Sequence, residues 1–202
     1  MRLILLPAFV ILSAAISSAQ TETITPTIAY VEGAVSLNGQ RVEGPATLPA
    51  GSVVSSENGR AEIHLRNGVL FLGDKSSARI SGSGVYNFNK VEMLSGSAVL
   101  KTGAAGGLVV CENTVTLSDA GIFQLDLRPP AGTYRDTSCS FKVYQGAASV
   151  QLLSLATVLT SGKTMRLNHR CGDMIPSEEF AIAEVDALHQ WSRERAGSDR
   201  RQ

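Results

Sequence analysis

The 202-residue chain has few of the features that mark several common protein classes. Its three cysteines, Cys111, Cys139 and Cys171, include no C-x-x-C pair and are too widely spaced to suggest a zinc site. Lysine plus arginine and aspartate plus glutamate each number 18, so no excess of basic charge favours nucleic acid. We therefore expect neither a zinc centre nor a nucleic-acid partner.

Sequence motifs of common enzymes are also missing. The chain has no G-x-S-x-G, no H-E-x-x-H, no phosphate-binding G-x-x-x-x-G-K-S/T and no calcium-loop spacing. His64, His169 and His189 are isolated from one another, and each is read as a surface or packing residue. Glu178 and Glu179 are adjacent, so their side chains point apart. We predict a protein without catalytic residues, metal or cofactor.

Three further acidic residues lie in or near predicted turns. Asp119, Asp126 and Asp136 are scattered, and aspartate in turns commonly caps its own backbone. These three residues are therefore predicted to have structural roles.

Only one long apolar run occurs, and it lies at the N-terminus. Arg2 is followed by LILLPAFVILSAAIS and then by small residues, the pattern of a secretory signal peptide. We predict residues 1–19 as the signal, with cleavage between Ala19 and Gln20, and residues 20–27 as a flexible N-terminus. Retention of the run as a membrane anchor is the alternative. An exported protein, periplasmic or secreted, is expected.

Export makes a disulfide bond the expected fate of two of the three cysteines, because the compartments outside the cytoplasm are oxidising. The pairing among Cys111, Cys139 and Cys171 stays open. A loop such as that from Cys111 to Cys139 would add about 3–4 kcal/mol of stability when closed.

The body of the chain alternates apolar and polar residues, as in GIFQLDL and SFKVYQG, which predicts half-buried strands. Asn38-Gly39, Asn58-Gly59 and Asn67-Gly68 are hairpin signals, because both central residues of a type I′ turn need positive φ. The short spacing between turns leaves no room for crossover helices. We predict an all-β fold of two stacked, curved antiparallel sheets, a sandwich or solenoid-like roll, over residues 28–176.

A glycine followed by a small residue and an apolar stretch occurs three times, in VEGAVSLNG, LSGSAVLKT and YQGAASVQL. The first and third copies are followed by a second glycine at similar distance, Gly51 and Gly162. This pattern predicts a repeated strand–return–turn–strand unit, in which Ala34, Ala98 and Ala147 let backbones approach closely. Chance recurrence in a glycine-rich β protein is the alternative.

A different periodicity follows Pro176. Val185, Leu188 and Trp191 fall three residues apart, which predicts a C-terminal helix over 177–196 with Gly197 as its stop, and then a mobile tail over 197–202. Trp191 is expected to dock the helix on the β body. The alternative is that its apolar stripe binds a partner.

The stretch LPAGSVVSSENGRAEIHLRNGVLFLGDKSSARI, residues 48–80, resembles the central signature of FecR-type periplasmic domains. VEGAVSLNG resembles the first strand of that family, VEMLSGSAVLKTG its middle hairpin and FKVYQGAASVQL its V-x-V-x-E-G-x-V strand. The resemblance covers about 140 residues, 28–168. DAGIFQLDL lies where the family usually has a G-T-x-F strand, and Ile122 stands there in place of the threonine. Gln145 stands in place of the usual acidic residue, so contacts that use those two groups are not carried over.

The resemblance implies a β-rich sensing or protein-binding module. The family's anti-sigma and transmembrane parts are not found here, so we expect a stand-alone exported domain and carry over no sigma-factor control. Two hypotheses for function remain. The first is a non-enzymatic module of the cell envelope that binds a protein or a polysaccharide, with strand-edge pairing as one route. The second is an envelope hydrolase or carbohydrate-processing enzyme with an unrecognised carboxylate pair.

Overall fold

A computed structural model of the chain describes residues 25–81, 90–104, 106–110, 113–128, 138–152, 155–168, 178–183 and 185–198. The described residues form β strands and one C-terminal helix, which confirms the predicted all-β class. The elements are β1 Thr27–Leu37, β2 Gln40–Val42, β3 Ala46–Thr47, β4 Ser52–Leu65, β5 Gly68–Leu72, β6 Ser77–Ser81, β7 Lys90–Thr102, β8 Gly106–Val110, β9 Asn113–Leu117, β10 Gly121–Arg128, β11 Ser138–Gln145, β12 Ala147–Leu152, β13 Leu155–Thr160, β14 Lys163–Asn168, β15 Glu178–Glu179 and α1 Ala187–Ser198.

The strands form two sheets that are joined by long bent strands. β4 pairs with β6 through its first residues and with β5 through its last, and β7 changes partners in the same way, from β6 and β8 to β5 and β10. Sheet 1 runs β2, β1, β4, β6, β7, β8, β9, β12, β13, and sheet 2 runs β3, β1, β4, β5, β7, β10, β11, β14, β15. The predicted pair of antiparallel sheets is confirmed, with β7–β8 as a parallel exception.

The three repeated glycines lie at the bends between the sheets. Gly33, Gly96 and Gly146 all have positive φ, a region that side chains with a Cβ rarely adopt. A Cβ on Gly33 would lie 2.2 Å from the Asn58 carbonyl oxygen, and a Cβ on Gly146 would lie 2.6 Å from that of Ala120. Close backbone approach at these bends is therefore provided by the glycines themselves, and the contribution predicted for Ala34, Ala98 and Ala147 stays a prediction.

One predicted asparagine–glycine hairpin is confirmed, and another is wrong. Asn38 and Gly39 have φ of 51° and 81° and join β1 to β2, as a type I′ hairpin requires. Asn58 and Gly59 do not form a hairpin, because they lie inside β4, where Gly59 pairs with Gly33 across the bend. Asn58 and Gly59 therefore lie where β4 bends from sheet 1 into sheet 2.

One hydrophobic core fills the space between the sheets. Inward side chains of sheet 1, such as Ile80 and Val150, belong to the same buried cluster as Ile63 and Phe141 of sheet 2. Their removal from water is the main source of stability of this fold. The largest fully buried side chains are Phe71, Phe123, Phe141, Ile28, Leu48, Ile63, Leu70, Leu72, Ile80, Leu117 and Leu125.

The helix is shorter than predicted and begins at Ala187 instead of residue 177. Glu178 and Glu179 form β15 because they pair with Thr164 and Lys163 on β14, and this tertiary pairing overrides the helical pattern. Gly197 lies within α1, which extends to Ser198. Within the described ranges, no helix combines the length and hydropathy needed to cross a membrane.

Helix α1 covers the outer face of sheet 2, which confirms the docking interpretation. Leu188 and Trp191 pack against Phe71 and Val99, and the Trp191 and Phe71 rings meet edge to face with centroids 5.8 Å apart. Leu188 packs closely on Gly73, since a Cβ at position 73 would lie 3.0 Å from Leu188 Cδ2 and from the Ser97 carbonyl oxygen.

Candidate functional site

The outer face of sheet 2 carries a buried polar cluster beside the start of α1. Gln124 on β10 is fully buried, and its Nε2 donates to both carboxylate oxygens of Asp126, at 3.2 and 3.3 Å, and to Oδ2 of Asp186 at 2.5 Å. Its Oε1 accepts a hydrogen bond of 3.0 Å from the Tyr144 hydroxyl. Gln124 therefore has all its polar groups engaged, as a buried amide requires.

Asp186 has a structural task in this cluster. Its Oδ1 accepts a 2.8 Å hydrogen bond from the backbone N–H of His189, three residues later, and α1 begins at Ala187. This is the geometry of an N-cap, which satisfies an otherwise unpaired amide of the first helical turn. One of the two carboxylates near Gln124 thus fixes the start of the helix.

Three aromatic rings pack beside the cluster. The Tyr144 ring contacts His189 with centroids 4.1 Å apart and Phe180 with centroids 4.9 Å apart. Burial, helped by the charges of Asp186 and Asp126, raises the pKa of Tyr144 to about 12. Tyr144 is therefore a neutral hydrogen-bond donor at physiological pH.

His189 is similarly kept neutral. It is 3% exposed, and burial lowers its pKa, with the nearby Arg193 charge acting in the same direction and Asp186 opposing it. Its Nδ1 has no hydrogen-bond partner among the described residues. His189 thus packs against Tyr144 as a ring, in agreement with its predicted packing role.

A polar groove opens next to this cluster on strands β10, β11, β14 and β15. Two rows of cross-strand neighbours build it: Asp126, Ser140 and Arg166 in one, and Lys142, Thr164 and Glu178 in the other. Register pairing on one face brings these side chains together although they are distant in sequence. The groove has a volume of about 370 Å³ and is lined by Asp126, Cys139, Ser140, Lys142, Thr164, Arg166 and Glu178.

The groove contains positive and negative side chains, and only some of them bind neighbouring residues. Asp126 accepts hydrogen bonds from Gln124 and, at 3.3 Å, from the Ser140 hydroxyl. The side chains of Lys142, Arg166 and Glu178 make no hydrogen bond or ion pair with other described residues. The groove therefore presents two cations and one carboxylate to whatever enters it.

Some predicted residues lie elsewhere. Asp126 was expected in a turn, but it lies on β10 in the groove, because the GIFQLDL strand extends through it. Glu179 points away from Glu178 and pairs with Lys163 at 2.7 Å. His64 lies on β4 with Nε2 2.8 Å from Glu62 Oε1. Within the described part of the chain, no three His, Cys, Asp or Glu side chains are grouped so that they could hold a metal ion.

Other predictions fall outside the described residues. These are the signal peptide with the Ala19–Gln20 cleavage site, and also Cys111, Cys171, His169 and Asp136. Cys139 is 1% exposed and belongs to the core. The disulfide among the three cysteines stays a prediction.

Comparison with known proteins bears on the fold. No family model and no curated protein matches the chain. Two crystal structures, each of a "putative anti-sigma factor" from Parabacteroides distasonis ATCC 8503, superpose on it with a TM-score of 0.53 at 15% and 14% identity. The chain thus shares its fold with these two structures, which supports the FecR-like fold implied by the sequence resemblance. In each comparison the match covers 64% of this chain and 60% of the other, so the chain spans less than two thirds of those proteins.

The two departures from the FecR-type motifs occupy defined places in this FecR-like fold. Ile122 packs against the cluster formed by α1 and sheet 2, so an apolar residue suits it. Gln145 is exposed at the end of β11, next to the Gly146 bend. Neither residue lines the polar groove.

The sequence contained a weak signal for this site. Gln124 and Asp126 are two apart on one strand, as are Lys142 and Tyr144 on another, so each pair shares a face. Which strands are neighbours could not be read from the spacing. The hydrogen bonds among Gln124, Tyr144 and Asp186 were therefore missed.

Proposed function

We propose that the chain is an exported, non-enzymatic binding module of the cell envelope, and that its polar groove contacts a protein or polysaccharide partner. The observation that carries this proposal is the set of unengaged charged groups, Lys142, Arg166 and Glu178, held on neighbouring strands of one sheet. Rigid strands fix the spacing of such groups better than loops do, which favours recognition.

The state of the nearby ionisable groups supports binding over catalysis. Asp186 caps α1, and Asp126 is held by Gln124 and Ser140. Tyr144, with its pKa raised to about 12, is not a base at neutral pH. These groups stabilise the wall of the groove.

The groove also indicates the chemistry of the partner. Guanidinium and ammonium groups bind carboxylates, and the Thr164 and Ser140 hydroxyls suit hydroxyl or amide groups. A partner with acidic groups among neutral hydrogen-bonding groups fits this lining, whether it is an acidic polysaccharide or a protein surface. The compartment follows from the predicted signal peptide, which places the partner in the envelope or outside the cell.

The test is cross-linking in intact cells with a photoreactive residue at position 164 in the groove, followed by identification of what is captured. We expect an envelope protein or glycan, and loss of capture in the double variant Lys142→Ala, Arg166→Ala. Lys90→Ala combined with Arg41→Ala is the matched control, since it removes the same charge away from the groove.

Two results would contradict the proposal. Capture that is equally strong in both double variants would remove the groove from the interaction. Hydrolysis of the captured glycan by the purified chain, abolished by Glu178→Gln, would establish the hydrolase alternative instead.

A further inference from the structure

The two flanks of α1 meet sheet 2 in different ways. On one flank, Leu188 and Trp191 are buried against Phe71. On the other flank, a cavity of about 310 Å³ lies between the helix and strands β7 and β10. This volume is at the lower end of the range found for small-molecule sites, about 300–1,000 Å³. The cavity shares no lining residue with the polar groove.

One side of α1 forms the wall of this cavity. His189, Ser192, Arg193 and Ala196 line it, and their spacing of i, i+3, i+4 and i+7 places them on one face of a helix. Arg193 is exposed, whereas Ala196 packs at the edge of the apolar cluster under the helix. The wall therefore combines a cation with polar and apolar groups.

The floor of the cavity is formed by two neighbouring strands. Val99 and Lys101 are two residues apart on β7, so their side chains share a face, and Ile122 on β10 is the cross-strand neighbour of Lys101. Val99 is buried and Ile122 is half-buried. An apolar group placed on this floor would be favoured, because it removes apolar surface from water.

Two positive charges meet at the cavity without an anionic partner among the described residues. The side chains of Lys101 and Arg193 make no hydrogen bond or ion pair there, whereas Arg195 on the same helix lies 2.8 Å from the Glu62 carboxylate. Burial, and after it the Arg193 charge, lower the pKa of His189, so the guanidinium charge acts on the ring. A negatively charged group in the cavity would interact favourably with both cations.

His189 adds an unused polar atom to the wall. The residue is 3% exposed, and its Nδ1 has no hydrogen-bond partner among the described residues. Buried polar atoms are nearly always paired, so an unpaired one in a residue that lines a cavity indicates where a ligand atom can bind. Nδ1 donates a hydrogen bond when it carries the ring proton.

We propose that this cavity binds a small molecule in which a carboxylate is attached to a short apolar chain. The carboxylate accepts charge-assisted hydrogen bonds from Lys101 and Arg193, and one from Nδ1–H of His189. The apolar chain lies on Val99 and Ile122. An inorganic anion would leave this floor in water, and an uncharged ligand would leave both cations unpaired. The inference uses no residue of the polar groove and is independent of the proposed function.

The test is titration of the purified chain with hexanoate, followed by the fluorescence of Trp191. Trp191 is the single tryptophan of the chain and lies on α1, so it reports changes at this helix. We expect saturation with a dissociation constant of about 1 mM, as suits a ligand of this size. Hexan-1-ol lacks the carboxylate and acetate lacks the chain, and both should bind at least about tenfold more weakly.

Two double variants locate the bound carboxylate. Lys101→Met, Arg193→Met should weaken hexanoate binding at least about tenfold, because it removes both charged donors. Lys142→Met, Arg166→Met removes the same charge from the polar groove and should leave hexanoate binding unchanged. Circular dichroism checks that both variants are folded, and the comparison of the three ligands on the wild type does not depend on them.

NMR of the imidazole nitrogens tests the contact with His189. Hexanoate should shift the Nδ1 resonance of His189, which is identified by its absence in His189→Phe, and should leave that of His64 in place. Absence of binding up to about 20 mM hexanoate would overturn the inference. Equal affinity for hexanoate and hexan-1-ol would also overturn it, and so would a loss of binding that is as large in the groove variant as in Lys101→Met, Arg193→Met.

Discussion

The outer faces of the two sheets carry different side chains, although the long strands β1, β4 and β7 belong to both sheets. The outer face of sheet 2 is covered by α1 and carries Phe71, Val99 and the buried polar side chains of Glu62 and Gln124. The outer face of sheet 1 has no such cover among the described residues and carries small polar side chains such as Ser55, Ser77 and Thr116. Inner faces therefore provide the common core, and the outer faces differ in their cover and in the side chains they carry.

Residues that stabilise the fold and residues that can bind a partner lie on different parts of the surface. Under α1, side chains are buried and coupled, so changes there should cost free energy of unfolding. In the groove beyond the helix, side chains reach solvent, so substitutions there should leave folding intact and alter binding of the partner. Substitutions on the exposed face of sheet 1 should also leave folding intact. The following predictions test this division, from the largest expected effect to the smallest.

Trp191→Ala should cause the largest loss of stability. Trp191 is 7% exposed between α1 and Phe71, with the Arg60 guanidinium 5.5 Å above its ring. Truncation of a buried tryptophan costs about 3–5 kcal/mol, whereas Val158→Ala, at a side chain that is 65% exposed, should change stability by less than about 0.5 kcal/mol. Urea unfolding of both variants measures this. Similar losses for the two would show that the helix cover does not stabilise sheet 2.

Arg195→Met should come second, because it breaks the ion pair between α1 and sheet 2. Arg195 Nε lies 2.8 Å from Glu62 Oε2, and the Glu62 side chain is only 4% exposed. Loss of one partner of a buried pair costs about 3–5 kcal/mol, and the 27% exposure of Arg195 and the remaining His64 contact reduce our expectation to about 2 kcal/mol. Guanidinium unfolding provides the measurement.

The matched control lies on the other sheet. Arg79 and Glu92 form a pair of the same 2.8 Å length on sheet 1, with side chains 44% and 35% exposed. Arg79→Met should cost less than about 1 kcal/mol, as surface pairs do. Adding Glu62→Gln to Arg195→Met should restore part of the loss. Equal losses of unfolding free energy for Arg195→Met and Arg79→Met would contradict the view that the ion pair under α1 is the more stabilising one.

Asp186→Ala should have a smaller effect, through the start of α1. It removes the N-cap of the helix and one acceptor of Gln124, and loss of an N-cap costs about 1 kcal/mol. Asp186→Asn is the control, since asparagine is also a good N-cap. Thermal unfolding of both variants gives the comparison, and equal destabilisation by alanine and asparagine would exclude the capping role.

Acidification should have the smallest effect, and it should act on the covered face. The pKa of His189 is lower in the folded chain than the ordinary value of about 6.5, so the unfolded chain binds the proton first. The contribution of His189 to stability is thus complete above pH 7 and is lost as the pH falls from about 6.5 through the lower pKa of the folded chain. Asp186, Arg193 and Tyr144 are the titratable or charged groups recorded around this ring.

His189→Phe should flatten the dependence of stability on pH between 5 and 7, as measured by urea midpoints. The wild type measured over the same pH range is the reference. A dependence that is unchanged in His189→Phe would show that other groups are responsible.

Several features of this fold were predictable from local patterns. Alternation in GIFQLDL and SFKVYQG determined strands β10 and β11, and Asn38-Gly39 determined the first hairpin. Recurrence of the glycine motif indicated a shared structural role, which the positive φ of Gly33, Gly96 and Gly146 explains. These predictions succeeded because each depends on neighbours in sequence.

Other features depended on residues far apart in the chain. The helical pattern before Ala187 gave way to β15, since pairing with β14 satisfies the backbone of Glu178 and Glu179. Asn58-Gly59 was read as a hairpin but serves as a bend, because Gly33 lies opposite Gly59. In both places a tertiary contact outweighs a local preference of about 1 kcal/mol or less per residue.

By itself, then, the sequence determined the all-β class, the position of most turns and the apolar stripe that places α1 on the body, because period and turn chemistry are local properties. Only the tertiary structure decided that Lys142, Arg166 and Glu178 share a groove and that Gln124 links Tyr144 to Asp186. These juxtapositions depend on which strands pair, and strand pairing is governed by contacts between distant residues that alternation alone does not specify.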